Sequence, residues 1–137
     1  MPTILFVCQH GAAKSVVAAE LCQRLADEAG LRVRAVARGT EPEPDVSPVA
    51  AAGLRAEGIR VRDPRPRAVT PEEVASAWRV VSFGPDVPGT RRPRARVERW
   101  EDVPAVSDGY EAARDAIMVH LRDLLMEAAG DRAVRQG

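Results

Sequence analysis

The chain has 137 residues, the length of one domain, and its 20 basic side chains balance its 20 acidic ones. This neutrality, with arginine-rich stretches broken by proline and acids, argues against a nucleic-acid partner. The sequence has neither a signal-peptide pattern nor the roughly 18 consecutive apolar residues of a membrane span, so we expect a soluble, cytoplasmic protein without a membrane partner.

The first 40 residues predict a β-α-β unit. Residues 3–7 are β-branched, apolar and aromatic, which is typical of a strand buried on both faces. Residues 15–29 place apolar side chains at helical spacing, and Gly30 follows where glycine often ends a helix. Residues 32–37 read Arg-Val-Arg-Ala-Val-Ala, in which arginine and apolar side chains alternate at the start. Because one face is charged, this pattern predicts a second strand at an edge of the sheet.

The rest of the chain continues the alternation of helices and strands. Ser47 can cap a helix that runs to residue 58, and residues 70–73 form a capping box that opens a short helix. Residues 78–83 and 95–100 predict a third and a fourth strand. Asp108, followed by Glu111, is a capping signal for a final helix to residue 129. We expect a single α/β domain over residues 1–130 and a frayed tail over residues 131–137.

Alternating strands and helices predict a parallel sheet covered on both faces, with ligands bound at the carboxyl ends of the strands. The loop after the first strand, residues 8–15, reads Cys-Gln-His-Gly-Ala-Ala-Lys-Ser. Its backbone N–H groups can surround a tetrahedral oxyanion, helped by the positive end of the helix that follows. The same field favours the thiolate form of Cys8, to which Ser15 can donate a hydrogen bond.

A thiolate beside an anion site is the arrangement that covalent phosphoryl transfer requires. Lys14 is the only lysine of the chain; the other basic side chains are all arginine. We interpret His10 as a residue that shapes the loop rather than as a base. The residues predicted to bind the oxyanion within this loop are Gln9, His10, Gly11, Ala12, Ala13, Lys14 and Ser15. We expect no metal and no cofactor.

The 8–15 loop resembles the Cys-x5-Arg-Ser signature of the low-molecular-weight protein tyrosine phosphatase superfamily, which includes thiol-dependent arsenate reductases. Residues 37–42 are similar to its Ser-Ala-Gly-Thr-x-Pro segment, and residues 48–59 and 67–70 to the helix and turn that follow. The form Cys-x-His-x-Ala-x-Lys-Ser is nearer the arsenate reductase branch. The resemblance implies a three-layer α/β/α sandwich with a four-stranded parallel sheet, and Cys8, Lys14 and Ser15 as catalytic residues.

Two positions depart from that pattern. The family has arginine where this chain has Lys14, and a lysine lacks the planar fork that makes two parallel hydrogen bonds. The family also has an aspartate before a proline near the C-terminus, where this chain has Val103 before Pro104. Asp102, one residue earlier, is the predicted proton donor to the leaving group. Arg38, where the family has a small residue, is predicted either to supply the missing guanidinium or to remain solvated.

Three functions follow from these residues. The first is a cysteine-dependent phosphatase that acts on phosphate monoesters. The second is an arsenate reductase, which would need an external thiol or redoxin as a partner because Cys22, the other cysteine, is expected in the core. The third is a diverged family member that binds an anion or a partner, or that acts in a specialised pathway. In each case the ligand is a small oxyanion or a phosphorylated substrate.

Overall fold

The strand that leads into the 8–15 loop lies inside a parallel sheet. The structure is a computed structural model, and it describes residues 1–89 and 97–136. Its strands are β1 (Thr3–Cys8), β2 (Arg34–Gly39), β3 (Arg79–Ser82) and β4 (Val97–Arg99). Within the described residues they form one four-stranded parallel sheet in the order β2-β1-β3-β4, which confirms the edge position predicted for β2. Residues 95 and 96 of the predicted fourth strand lie outside the described residues.

The helices begin close to where the capping signals predict them. Their bounds are α1 (Lys14–Glu28), α2 (Pro48–Ala56), α3 (Pro71–Ser76), α4 (Tyr110–Gly130) and α5 (Arg132–Gln136), with a 3-10 turn at Val106–Asp108 before α4. Ser47 accepts a hydrogen bond from the backbone N–H of Ala50 and so caps α2. The capping box of Thr70 and Glu73 opens α3. None of the helices in the described part of the chain is long and apolar enough to cross a membrane.

The alternation of side chains along β1 divides the core between the two faces of the sheet. Ile4, Phe6 and Cys8 face a large apolar cluster to which α1, α2 and α4 contribute. Leu5 and Val7 face a smaller cluster closed by Val74 of α3. The sheet therefore lies between two helical layers, and the predicted three-layer α/β/α fold is confirmed.

Two predicted details near the C-terminus are wrong. Gly109 rather than Asp108 occupies the N-cap of α4, because Asp108 belongs to the 3-10 turn that precedes it. Residues 132–136 form α5 instead of a frayed tail. This helix is held by burial, since Val134 is fully buried in the large apolar cluster.

Candidate active site

The 8–15 loop leaves the carboxyl end of β1, between the carboxyl ends of β2 and β3. The chain runs from β1 to β2 on one side and later reaches β3 on the other, so the order of strands reverses at this point. Such a reversal leaves a crevice at the ends of the strands where ligands bind in open parallel sheets. The topology therefore places Cys8, the last residue of β1, at the expected position of a binding site.

The carbonyl groups of the 8–15 loop are hydrogen-bonded to the segment after β2, whereas its N–H groups have no acceptor among the described residues. The carbonyls of Cys8, Gln9, His10 and Ala12 accept hydrogen bonds from the backbone N–H groups of residues 40, 41, 43 and 47. By contrast, the N–H groups of residues 9–15 donate to no acceptor in the described ranges 1–89 and 97–136. Gln9 and His10 are exposed, and Lys14 and Ser15 lie in the first turn of α1, whose N–H groups have no partner within the helix, so the run leaves seven donors available to a bound anion.

Two glycines bring the loop against the end of β2. A Cβ atom on Gly39 would lie 2.7 Å from the backbone nitrogen of Gly11, and one on Gly11 would lie 2.8 Å from that of Gly39. Gly11 also has φ of 62°, in the left-handed region that favours glycine. The tight turn of the loop thus depends on the absence of a side chain at both positions.

Cys8 and Ser15 lie at the two ends of the loop and meet across it. Ser15 Oγ lies 3.0 Å from Cys8 Sγ, and the Ser15 side chain is fully buried. Ala13 is the N-cap of α1, so Ser15 lies inside the helix and is not its cap. Its hydroxyl is therefore free to donate to the sulfur, which stabilises a thiolate that would otherwise lose its hydration on burial.

Lys14 lines an open pocket of about 700 Å³ together with Cys8. Among the described residues its ammonium has no ion-pair or hydrogen-bond partner. The apolar part of the wall includes Phe83, against which Trp100 packs edge-on with ring centroids 5.7 Å apart. The pocket therefore combines the sulfur, an unpaired cation and an aromatic wall, and its mouth is open to solvent.

The pocket also holds two carboxylates, beside His10 of the loop, that the sequence analysis did not predict there. Glu41 and Glu43 line it, and their N–H groups donate to the carbonyls of Gln9 and His10 at 2.7 and 3.1 Å. The Nδ1 atom of His10 lies 3.5 Å from Glu43 Oε1. The only signal for the two glutamates in the sequence was their position just after β2, at the same edge of the sheet as Cys8.

The side chain of Arg38 does not line the pocket that contains Cys8. In the register of the sheet it pairs with Val7, so its side chain lies on the face opposite to Cys8, which pairs with Gly39. Its Nε donates to Glu73 Oε2 at 2.8 Å, and it lines a separate pocket of about 510 Å³. The structure therefore contradicts its predicted position as an oxyanion ligand, because the alternation of a strand turns it away.

Asp102 is also absent from the pocket that contains Cys8. Its Oδ1 lies 2.7 Å from Nε2 of His120 on α4, and the hydrogen bond from His120 holds the pKa of Asp102 below its usual range. The His120 ring stacks on Trp100 with centroids 4.6 Å apart. Asp102 thus faces α4 rather than Cys8, which contradicts the position predicted for a proton donor.

Cys22 is fully buried, and its burial raises the pKa of its thiol to about 12, so it is a core residue as predicted. Tyr110 does not line the pocket that contains Cys8, and it donates a hydrogen bond to Glu57. The aromatic wall of the pocket is therefore Phe83, supported from behind by Trp100.

Comparison with solved structures shows the same fold in three bacterial proteins. The arginine phosphatase YwlE, known from Bacillus subtilis, is 23% identical with a TM-score of 0.81, and the match covers 96% of this chain and 98% of that one. YfkJ from Bacillus subtilis is 20% identical with a TM-score of 0.82 over 96% and 97%. The thioredoxin-dependent arsenate reductase of Corynebacterium glutamicum is 21% identical with a TM-score of 0.75, over 94% of this chain and 62% of that one.

These identities are low and show the fold alone. The sequence itself matches the model of the family of low molecular weight phosphotyrosine protein phosphatases over residues 3–99, which include the 8–15 loop and all four strands of the described sheet. The match confirms the resemblance that the loop and the segment after β2 indicate. This chain belongs to the low molecular weight phosphotyrosine protein phosphatase family.

Proposed function

We propose that this protein is a cysteine-dependent phosphatase that hydrolyses phosphate monoesters through a covalent intermediate on Cys8. The observation that carries the proposal is the run of N–H groups over residues 9–15 that donate to no acceptor in the described part of the chain, in a loop that begins at Cys8 and brings Ser15 Oγ within 3.0 Å of its sulfur. An anion in this loop would sit beside the nucleophile. Membership of the phosphatase family supports the same chemistry.

The reaction has two displacements. The Cys8 thiolate attacks phosphorus, the sulfur–phosphorus bond forms, and the bond to the leaving oxygen breaks. Water then attacks phosphorus, releases phosphate and returns the electron pair to sulfur. The loop N–H groups and Lys14 stabilise the negative oxygens in both transition states, and Ser15 stabilises the departing sulfur in the second step.

The open mouth of the pocket supports a phosphorylated group carried on a larger molecule. The pocket of about 700 Å³ exceeds what a bare phosphate needs, and Phe83 offers an apolar surface to the leaving group. An aryl phosphate is therefore a suitable first substrate for assay.

The test is hydrolysis of p-nitrophenyl phosphate by the wild type, Cys8→Ser and Cys22→Ser. We expect Cys8→Ser to abolish turnover and Cys22→Ser to retain it, because Cys22 is buried in the core away from the pocket. Mass spectrometry of a rapidly quenched reaction should show a phosphorylated Cys8 peptide. Turnover that survives Cys8→Ser would contradict the mechanism.

A second candidate function is arsenate reduction coupled to an external thiol. It is favoured by the contacts of the loop, since backbone N–H groups and Lys14 recognise the oxyanion alone and accept arsenate as well as phosphate. Cys8 would displace an oxygen of arsenate, and a second thiol would attack Cys8 sulfur, forming a disulfide and reducing As(V) to As(III). The second thiol must come from outside, because Cys22 is fully buried and the chain has no other cysteine.

Arsenate-dependent oxidation of a small thiol or of a redoxin, with mass spectrometry of Cys8, tests this second candidate. Turnover of arsenate but not of aryl phosphate would favour the reductase. Tight binding of phosphate or arsenate without turnover of either would indicate an anion-binding or specialised role instead.

A further inference from the structure

A proton donor to the leaving oxygen speeds hydrolysis of phosphate monoesters that have poor leaving groups, a contribution typically worth about 10²–10⁴-fold in rate. In this structure Asp102 cannot fill that role because it bonds to His120 outside the pocket. The titratable side chains that line the pocket, among the described residues, are Cys8, His10, Lys14, Glu41 and Glu43. With sulfur as nucleophile and ammonium as anion contact, the described side chains left to donate a proton in this pocket are His10, Glu41 and Glu43.

His10 is held at the mouth of the pocket by the segment after β2. Its Nδ1 lies 3.5 Å from Glu43 Oε1 and 3.4 Å from the carbonyl oxygen of Glu41, and half of its side chain is exposed. Its Nε2 makes no hydrogen bond with any described residue. A carboxylate on one ring nitrogen orients the imidazole and leaves the other nitrogen available to a substrate.

We propose that His10, positioned by Glu43, exchanges the proton with the leaving group and with the attacking water; this inference rests on the proposed phosphatase function. An in-line displacement places the leaving oxygen opposite Cys8 sulfur, and His10 is a half-exposed side chain that lines the same pocket as Cys8. Among side chains, imidazole is the one that exchanges protons near neutral pH, whereas unperturbed carboxylates are ionised there.

The proton balance closes over the two steps. In the first step the sulfur–phosphorus bond forms, the phosphorus–oxygen bond breaks, and the leaving oxygen takes the proton of His10 Nε2. In the second step neutral His10 takes a proton from water as the water oxygen attacks phosphorus. The sulfur–phosphorus bond breaks, sulfur recovers its electron pair, and His10 is again protonated.

Among the described residues, the charged groups that line the pocket with His10 come from two segments. Glu41 and Glu43 lie on the segment after β2, and Cys8 and Lys14 lie on its own loop. The remaining wall, residues 83–85 and 105–107, carries no titratable side chain. Glu43 is therefore the neighbour whose carboxylate contacts His10 and whose substitution tests the pairing.

The test compares His10→Gln with the wild type on aryl phosphates whose leaving groups range from nitrophenol to phenol. We expect kcat/KM to fall less than about tenfold for p-nitrophenyl phosphate and about 100-fold or more for phenyl phosphate, because poor leaving groups depend most on the donor. The basic limb of the pH profile of kcat/KM should also disappear. Glu43→Gln should lower kcat/KM for phenyl phosphate and weaken the basic limb of the pH profile, and Glu43→Asp should restore both in part.

His120→Gln, the same exchange at the only other histidine, is the matched control. Its kcat/KM should depend on the leaving group and on pH as that of the wild type does. A loss in His10→Gln that is equal for every leaving group would overturn the role of His10 while leaving the phosphatase function intact. A leaving-group-dependent loss in Asp102→Asn would also overturn it. Absence of any Cys8-dependent turnover would overturn the proposed function and this inference together.

Discussion

Gly39 at the end of β2 lies so close to Gly11 in the 8–15 loop that a Cβ atom on Gly39 would come within 2.7 Å of the Gly11 nitrogen. The atoms that such a Cβ would contact belong to the backbone, so no flexible side chain could move away to make room. The contact fixes the loop against the end of β2. Hydrogen bonds from the N–H groups of residues 40, 41, 43 and 47 to the loop carbonyls hold the loop against the segment that follows. The shape of the anion site therefore depends on β2 as much as on the loop itself.

Gly39→Ala tests this dependence. The added methyl group should displace the loop, lowering stability by about 1–3 kcal/mol and weakening phosphate binding. Urea denaturation and calorimetric titration with phosphate measure the two effects. Gly130→Ala is the control, since a Cβ there meets nothing within 4 Å, and it should leave both quantities close to the wild type. Normal phosphate affinity in Gly39→Ala would show that the contact does not shape the site.

Ser15→Ala should make Cys8 less reactive. The hydroxyl that contacts the sulfur at 3.0 Å is removed, and a hydrogen bond to a charged group contributes about 1.5–3 kcal/mol. We expect alkylation of Cys8 by iodoacetamide at pH 7 to slow by about tenfold or more. Cys22→Ser should show the unaltered rate, because the buried Cys22 does not react. An unchanged rate in Ser15→Ala would show that the hydroxyl does not stabilise the thiolate.

Lys14→Ala should remove the cationic contact with the oxyanion. Loss of one such contact is worth about 3 kcal/mol, or about a hundredfold in kcat/KM, and the inhibition constant of inorganic phosphate should rise as well. Lys14→Arg should retain activity, since its guanidinium can contact two oxygens of the anion. Arg34→Ala, which removes a cation from the other pocket, is the control. Equal effects of Lys14→Ala and Arg34→Ala would point to net charge rather than contact.

Glu57→Gln should destabilise the protein in a pH-dependent way. Burial acts to raise the pKa of Glu57, but hydrogen bonds from Tyr110 and Arg114 outweigh it and hold that pKa below its usual range. A lowered carboxyl pKa adds stability that is present above the usual pKa and is lost as pH falls through the lowered one. We expect a loss of about 1 kcal/mol at pH 7 that shrinks toward pH 3, measured by urea denaturation.

The control for Glu57 is Glu28→Gln. Glu28 forms an exposed pair with Arg24 one helical turn away, at 3.9 Å, and such pairs contribute less than about 0.5 kcal/mol. The free energy of unfolding of Glu28→Gln should match that of the wild type at pH 7 and at pH 3. A loss in Glu57→Gln that does not change with pH would mean that packing, not ionisation, accounts for the effect.

His120→Gln should raise the pKa of Asp102 toward its ordinary value. The hydrogen bond from His120 is the main cause of the lowered pKa, and the neutral amide of glutamine replaces it only weakly. NMR titration of the Asp102 carboxyl carbon measures the change. Asp63, whose pKa is lowered by a hydrogen bond from Arg67, provides an internal reference that should not move. A constant Asp102 pKa would show that His120 does not hold this carboxylate.

Local signals predicted much of the fold. The caps at Ser47 and Thr70 depend on hydrogen bonds between residues three apart, and both are present in the structure. The edge position of β2 followed from its alternating charge. The cap of α4 was predicted at Asp108 because a local pattern does not reveal that a 3-10 turn precedes the helix. The tail was predicted as frayed because a five-residue helix is stable only when tertiary packing buries a residue such as Val134.

The sequence alone determined which chemical groups the 8–15 loop carries, because its sulfur, hydroxyl, ammonium and backbone donors are contiguous along the chain. The tertiary structure alone decided which distant side chains join them. The pleat of β2 turns Arg38 to the opposite face, the packing of α4 engages Asp102 with His120, and the segment after β2 brings Glu43 to His10. These partners are set by strand register and by contacts across the fold, which spacing along the chain does not encode.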